Sequence, residues 1–188
     1  MKVKAQAFIN ATRWVQEKHG RAVLGEIVAA CSTAVRERHA TALAIEWHPI
    51  DELAELLAAI ERRVGKGDGK VAEEIGAAGA RVNFRGPLVR LAFYVGRPEF
   101  LMRRITSLWR QFNDEGDFVI ESFADGACDV ALRGVSIPHA LICSTITGWG
   151  RELCLAIVSS TPQVRHSSCR ARGDRACRWE CRWKRGSR

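Results

Sequence analysis

The last quarter of the chain constrains the fold most, because it places thiols, indoles and arginines in a regular alternation. Residues 166–183 hold three of the seven cysteines and two of the six tryptophans. Gly173-Asp174 lies midway between Cys169 and Cys177. A glycine and an aspartate at the centre of such a segment are typical of a turn between antiparallel strands. We therefore predict a terminal β-hairpin in which Cys169 and Cys177 are direct cross-strand partners.

Alternation along the final strand separates its side chains into two sets, because successive residues of a strand point to opposite faces. The predicted inward face carries thiols and indoles, namely Cys177, Trp179, Cys181 and Trp183. The predicted solvated face carries Arg178, Glu180 and Arg182. Residues 165–188 hold +7 of the chain's net charge of +8. No helix-turn-helix or RNA-recognition signature accompanies this charge, so nucleic acid is not an expected partner.

Apolar residues recur at helical spacing through most of the first 113 residues. Gly20 ends the first helix, and Pro49 suits the first turn of a later one. The glycine-rich segment 65–70 resembles a phosphate loop only superficially, because it follows a helix and lacks the Lys-Ser/Thr ending. We interpret it as a turn. The predicted helices cover residues 4–19, 21–31, 47–64, 70–83, 87–95 and 97–113.

The hydrophobic period changes from helical spacing to alternation after Gly116. Two strands flank a tight turn at Asp125-Gly126, an apolar helix follows over residues 138–158, and the terminal hairpin closes a β-β-α-β-β unit. We predict an α+β protein with N-terminal helices and an antiparallel sheet. We expect one domain, residues 1–188, in which a helical segment (residues 1–84) precedes the segment with the β-β-α-β-β unit (residues 85–184) and a basic tail (residues 185–188).

The apolar helix of this unit contributes two more cysteines, Cys143 and Cys154. They are eleven residues apart, close to three turns, so they share a helix face but lie about 16 Å apart and only one can reach a given site. Structural zinc sites use four Cys or His ligands. Such a set would be Cys143, His166, Cys169 and Cys177, with Cys181 and Cys154 in reserve. Inward-facing core cysteines are the alternative, and we expect Cys31 and Cys128 to be isolated buried residues.

The terminal motif consists of His166, Cys169, Gly173-Asp174 and Cys177 in that order. It resembles the closing motif of the 4-vinyl reductase-type sensor domain. That domain occurs in phenol- and toluene-responsive transcription activators. In that domain a Glu, two cysteines of this motif and a cysteine well upstream hold a structural zinc. Cys143, 23 residues before His166, matches the upstream cysteine, whereas His166 replaces the Glu. The resemblance covers residues 85–184 and implies zinc at Cys143, His166, Cys169 and Cys177.

The fold of the resembling domain is shared with haem NO-binding domains and with Bet-type subunits of the TRAPP transport particle. The resemblance therefore implies a TRAPP/NO-signalling-like ligand-binding fold, with structural zinc as the cofactor and haem not expected. The whole chain also resembles a myxobacterial family of paralogues. That likeness rests on Trp47-His48-Pro49 and on the segment from Pro98 to Arg104.

The resembling domains bind apolar ligands between their helices and their sheet, which implies an aromatic pocket in this chain. Ordinary core packing is the alternative for each candidate. The candidates are Phe84, Phe93, Tyr94, Trp109, Phe112 and Trp149. We expect a sensory or adaptor module that binds an apolar or aromatic small molecule, forms a homodimer and signals to a downstream protein partner. A dimeric assembly protein of TRAPP-like fold without a ligand is the alternative.

Signatures of catalysis and of membrane insertion are missing from the sequence. It has no GxSxG, HExxH, dinucleotide-binding or paired-carboxylate pattern, so we do not expect an enzyme. It has no run of 18 apolar residues and no signal-peptide pattern at residues 1–10, so we expect a cytoplasmic protein without a membrane span. Clustered cysteines in a reducing compartment favour metal or redox chemistry over stable disulfides.

Overall fold

The computed structural model describes residues 1–84, 105–158 and 161–184. The predicted helix 87–95 and most of the predicted helix 97–113 lie outside these residues, as do Phe93 and Tyr94. The described helices are α1 (Gln6–Ala29), α2 (Thr33–Thr41), α3 (Ile50–Val64), α4 (Lys70–Asn83), α5 (Ile105–Arg110) and α6 (Ala140–Ile157). The described strands are β1 (Lys2–Lys4), β2 (Trp47–Pro49), β3 (Asp117–Ala124), β4 (Ala127–Arg133), β5 (Gln163–Ser168) and β6 (Cys177–Arg182).

The predicted fold class is confirmed: N-terminal helices precede a β-β-α-β-β unit with an antiparallel sheet. Gly20 interrupts α1 with a φ of 85°, a conformation that side chains with a Cβ rarely adopt, so α1 consists of two helical pieces. Ser32 begins α2, since its side chain accepts a hydrogen bond from the backbone N–H of Val35. Acidic residues in the first turn of α3 and basic residues in its last turn suit the helix dipole.

A two-stranded sheet of β1 and β2 joins the N-terminus to the segment before α3, and the sequence did not reveal it. Val3 pairs with His48, and the backbone of Val3 also bridges to Asn113. Residues 47–49 are therefore a strand, not the first turn of α3 as predicted. Strands of three residues show no readable alternation, and their pairing depends on contacts far apart in sequence.

The main sheet has four antiparallel strands in the order β3-β4-β6-β5. Its inner face packs under α6 and carries buried residues that include Val130, Leu132 and Trp179. Its outer face carries ion pairs between strands: Glu121 with Arg133 and, across β4, with Arg178, Asp129 with Arg182, and Glu180 with Arg165. The basic residues of the solvated face are thus largely neutralised by acidic partners on the same face.

Helices α4 and α6 are in backbone contact. A Cβ placed on Gly148 would lie 1.8 Å from the carbonyl oxygen of Glu73, and one on Gly76 would lie 2.0 Å from that of Thr145. Only glycine permits this approach. Among the described helices, α6 also has the length and apolar composition to cross a membrane. It packs against α4, β5 and β6, which is the environment of a core helix.

Candidate functional site

The structure brings four of the predicted metal ligands into one buried cluster, which we call the thiol cluster: Cys143, His166, Cys169 and Cys177. Their ligand atoms all lie within 4.8 Å of one another. The sulfur of Cys143 is 3.5 Å from that of Cys177 and 3.9 Å from that of Cys169. Metal–sulfur bonds of about 2.3 Å in tetrahedral geometry would separate neighbouring ligands by about 3.8 Å. The described residues contain no second group of this kind.

The backbone arrangement that brings the thiol cluster together differs from the predicted one. Cys169 and Cys177 are not direct cross-strand partners: β5 ends at Ser168, and its register with β6 shifts between His166 and Ser168. A 3₁₀ turn, Arg170–Arg172, follows β5. The carboxylate of Asp174 accepts a hydrogen bond of 2.6 Å from the backbone N–H of Cys169. This bond folds the loop back and turns the thiol of Cys169 towards the cluster.

His166 contributes the nitrogen atom of the thiol cluster. Its ring stacks on Trp179 with centroids 4.7 Å apart and planes 14° from parallel. Its buried Nε2 has no hydrogen-bond partner among the described residues. The stacking fixes the ring plane, and the unpartnered nitrogen is free to act as a ligand.

The electrostatics of the thiol cluster favour a thiolate at Cys177. The Cys143 thiol donates a hydrogen bond to the Cys177 sulfur, and this bond, with help from His166, lowers the pKa of Cys177 despite burial. The same pairing and burial raise the pKa of Cys143. Thiolates are the form in which cysteine binds metal, so this arrangement favours Cys177 as a metal ligand.

The remaining cysteines lie elsewhere. Cys154 and Cys181, the reserve ligands, are buried together with Cys128 towards the other end of the inner sheet face. Cys128 is the cross-strand partner of Cys181, so the expectation that Cys128 stands alone was wrong. Burial raises the pKa of Cys128 to about 12. Cys31 is separate, and its thiol donates to the carbonyl of Ile27.

A cavity lies between the N-terminal helices, α6 and the sheet, and we call it the apolar cavity. The enclosed part of this cavity has a volume of about 130 Å³. An apolar cavity of roughly 150 Å³ can hold benzene, so this one is large enough for a small ligand. The predicted residues Trp109, Phe112 and Trp149 line it, and Phe84 packs edge-on against Trp149.

The N-terminal segment supplies much of this lining, which the sequence-based selection of aromatic residues missed. Val3, Gln6, Ala7 and Asn10 line the cavity from β1 and α1. Gln6, Ala7 and Asn10 lie on one side of α1, because they are separated by one, three and four positions. The residue types alone did not show that this side faces a cavity.

Comparisons with solved structures place the fold among H-NOX proteins. An Fe(II) unliganded H-NOX protein from K. algicida superposes with a TM-score of 0.76 at 11% identity, covering 98% of each chain. An H-NOX protein from S. oneidensis in the Fe(II)NO ligation state gives 0.74 at 13% identity, covering 96% of this chain and 99% of that one. A structure from work on heme distortion in the H-NOX family gives 0.68 at 13% identity, covering 96% and 95%.

No family model and no curated protein matches the chain. The likeness to the 4-vinyl reductase-type domain and to the myxobacterial family therefore stays a prediction. The expected cofactor was structural zinc, and haem was not expected. The structural comparison shows that this expectation was wrong. The structures that share the fold are named for Fe(II) and for heme, which points to haem rather than zinc.

The described lining of the apolar cavity does not fit a haem held by histidine or cysteine. Haem iron takes an axial ligand such as His, Cys, Met or Tyr. All five histidines and all seven cysteines of the chain are within the described residues, and none lines the cavity. The described lining also has no Lys or Arg to pair with the haem carboxylates. Tyr94 and Met102 lie outside the described residues.

Proposed function

We propose that this chain is a sensory module that binds a small molecule in the apolar cavity and has no catalytic activity of its own. The observation that carries the proposal is the cavity itself, enclosed by α1, α4, α6 and the sheet in a fold shared with H-NOX proteins. The proteins of those structures are named for iron and NO ligation, and we extend to this chain only the sensing of a small molecule.

The thiol cluster has a structural role in this proposal. Cys143, His166, Cys169 and Cys177 bind one metal ion that prefers thiolate ligands, and four protein ligands leave no open position for a reacting water. Cys143 follows Ile142 on α6, and Ile142 lines the apolar cavity. The bound ion would therefore hold the terminal hairpin to the helix that forms one wall of the ligand site.

A protein partner completes the proposal, because a sensory module needs a receiver for its signal. A change in α6 on ligand binding would reach both the cavity wall and the terminal hairpin. We propose that the chain forms a homodimer and passes its signal to a downstream protein, not to nucleic acid. The paired charges on the outer sheet face support the last point, since they leave few cations free for phosphates.

Native mass spectrometry of the purified chain tests the proposed function. We expect one small molecule per chain, either copurified or acquired from an added uncharged aromatic compound, and haemin is added as a separate probe. Ala7→Phe should abolish binding by filling the cavity from α1, because Ala7 lines it. Ala29→Phe, at an exposed position of the same helix, is the control and should bind as the parent does.

Absence of every such ligand from the parent chain, with haemin included, would contradict the sensory function. A stable dimer in light scattering together with that absence would favour an assembly protein. Haemin uptake is read directly from a Soret band.

A further inference from the structure

Most of the polar side chains that line the apolar cavity are amides. Twenty described residues line the cavity, and none of these twenty is acidic or basic. Four carry side-chain amides: Gln6, Asn10, Asn83 and Asn113. The rest of the lining is almost entirely apolar, with Thr145 and the indoles as the other polar side chains. A charged group placed in this cavity would lose its water without meeting an opposite charge, which is strongly unfavourable.

Two of the amides form a pair at the α1 side of the cavity. The amide nitrogen of Gln6 donates to the side-chain oxygen of Asn10 over 2.9 Å. This bond leaves the oxygen of Gln6 as a free acceptor and the nitrogen of Asn10 as a free donor among the described residues. The nitrogen of Asn10 lies against Gly79, 3.0 Å from where a Cβ would stand, and Gly79 also lines the cavity.

A third amide is deeply buried at the same cavity. Asn113 is 6% exposed, and its amide nitrogen donates to the carbonyl oxygen of Trp109 over 3.2 Å. The amide of Asn113 is thus held by the backbone, and the donor–acceptor pair that the cavity offers lies at α1.

We propose that the apolar cavity selects an uncharged, mainly apolar molecule with at least one hydrogen-bonding group, and that Gln6 and Asn10 recognise this group. This inference rests on the proposed function and specifies the ligand class of the same site. Removing the amide pair should remove the preference for the polar group and leave apolar binding intact, because the apolar wall is unchanged.

Calorimetry with three probes tests the inference in the full-length chain. The probes share the naphthalene ring and differ in one substituent: 1-naphthol, naphthalene and 1-naphthoate. We expect the parent to bind naphthol about tenfold more tightly than naphthalene, equivalent to about 1.4 kcal/mol. Naphthoate should bind at least a hundredfold more weakly than naphthol. In Asn10→Leu the ratio of naphthol to naphthalene should fall below about two.

Gln6→Met, which keeps the side-chain length, should reduce the same ratio and serves if Asn10→Leu folds poorly. Gln16→Leu, an exposed amide on the same helix, is the matched control and should keep the ratio of the parent. An unchanged ratio in both cavity variants overturns the inference, as does tight binding of naphthoate.

Failure of the inference can be told apart from failure of the proposed function. If naphthol and naphthalene bind equally and Ala7→Phe abolishes both, the sensory function stands and the role of the amides falls. If no uncharged probe binds, the inference falls, and the haemin arm of the native mass spectrometry decides whether the sensory function stands.

Discussion

Two glycines determine how closely α4 and α6 approach each other, and they make a sharp test at the scale of single residues. Gly148→Ala would place a methyl group 1.8 Å from the carbonyl oxygen of Glu73, which is backbone and cannot rotate away. Overpacking of this kind costs about 1–3 kcal/mol, and the rigid contact should put the loss at or above the upper end. Chemical denaturation would measure the loss of free energy of unfolding.

Gly150→Ala on the same helix is the matched control. Its Cβ would lie 3.9 Å from a methyl carbon of Val164, an ordinary contact. The change from Gly to Ala should stabilise the helix by up to about 1 kcal/mol. Equal effects of the two substitutions would show that the helices relax apart at little cost.

Sequence spacing grouped His166, Cys169 and Cys177 with either Cys143 or Cys154, and the resemblance to the 4-vinyl reductase-type domain selected Cys143. Neither showed how these residues meet. Alternation placed Cys177 inward, and helix periodicity placed Cys143 and Cys154 on one face but too far apart to act together. The shift after His166 and the hydrogen bond from Cys169 to Asp174 escaped prediction. Both depend on local backbone geometry that the residue types do not specify.

Ion pairs across the outer sheet face act at the scale of elements, since each joins two strands. Glu121 of β3 accepts from Arg178 of β6 and from Arg133 of β4. The hydrogen bond from Arg178 is the main cause of the lowered pKa of Glu121, and the hydrogen bond from Arg133 is the second. Because the carboxylate is partly exposed, the network should contribute no more than about 1 kcal/mol.

Glu121→Gln tests this network through its pH dependence. A lowered pKa means that the stabilisation is present above the ordinary pKa of 4.5 and is lost as the pH falls through the lower folded value. We expect Glu121→Gln to be less stable than the parent at pH 7 and equal to it at about pH 2. Urea denaturation at both pH values measures the difference. Glu37→Gln, at an exposed position of α2, should show no such pattern. A gap that persists in acid would contradict the assignment.

Elements with long, periodic patterns were predictable, whereas those made by distant pairing were not. The apolar stripe of α3 and the turn at Asp125-Gly126 match the structure. The stripe expected for α4, Val71, Ile75, Ala78 and Val82, was wrong apart from Ile75, because α4 buries mainly its small residues against α6. The strands β1 and β2 have three residues each, and only the meeting of residues 2–4 with 47–49 makes them strands. The contribution of α1 to the cavity was missed for the same reason, because it depends on what α1 packs against.

At the scale of the whole molecule, α6 links the apolar cavity to the thiol cluster, and loss of metal should affect overall stability. We expect elemental analysis to find about one metal ion per chain in protein purified without chelator. Cys169→Ser should lose most of it, because Cys169 is one of the four proposed ligands. Free metal at a thousand times its Kd stabilises a fold by about 4 kcal/mol, so thermal unfolding should shift accordingly.

Cys31→Ser is the control for this prediction. Cys31 is also buried, but its thiol donates to the carbonyl of Ile27 and lies outside the thiol cluster. It should retain the metal content of the parent. Metal found only as iron, in proportion to a Soret band, would locate the ion in haem and leave the thiol cluster without a metal.

The backbone contact between α4 and α6 has a consequence for how this sequence tolerates change. Carbonyl oxygens of Glu73 and Thr145 occupy the space where side chains at positions 148 and 76 would begin. In a library randomised at both positions and selected for folded protein, survivors should therefore return to glycine at both. Position 25, whose surroundings are open, should accept a wide range of residues in the same library. Exposed positions of the chain would thus accept many substitutions, while positions 76 and 148 would remain glycine.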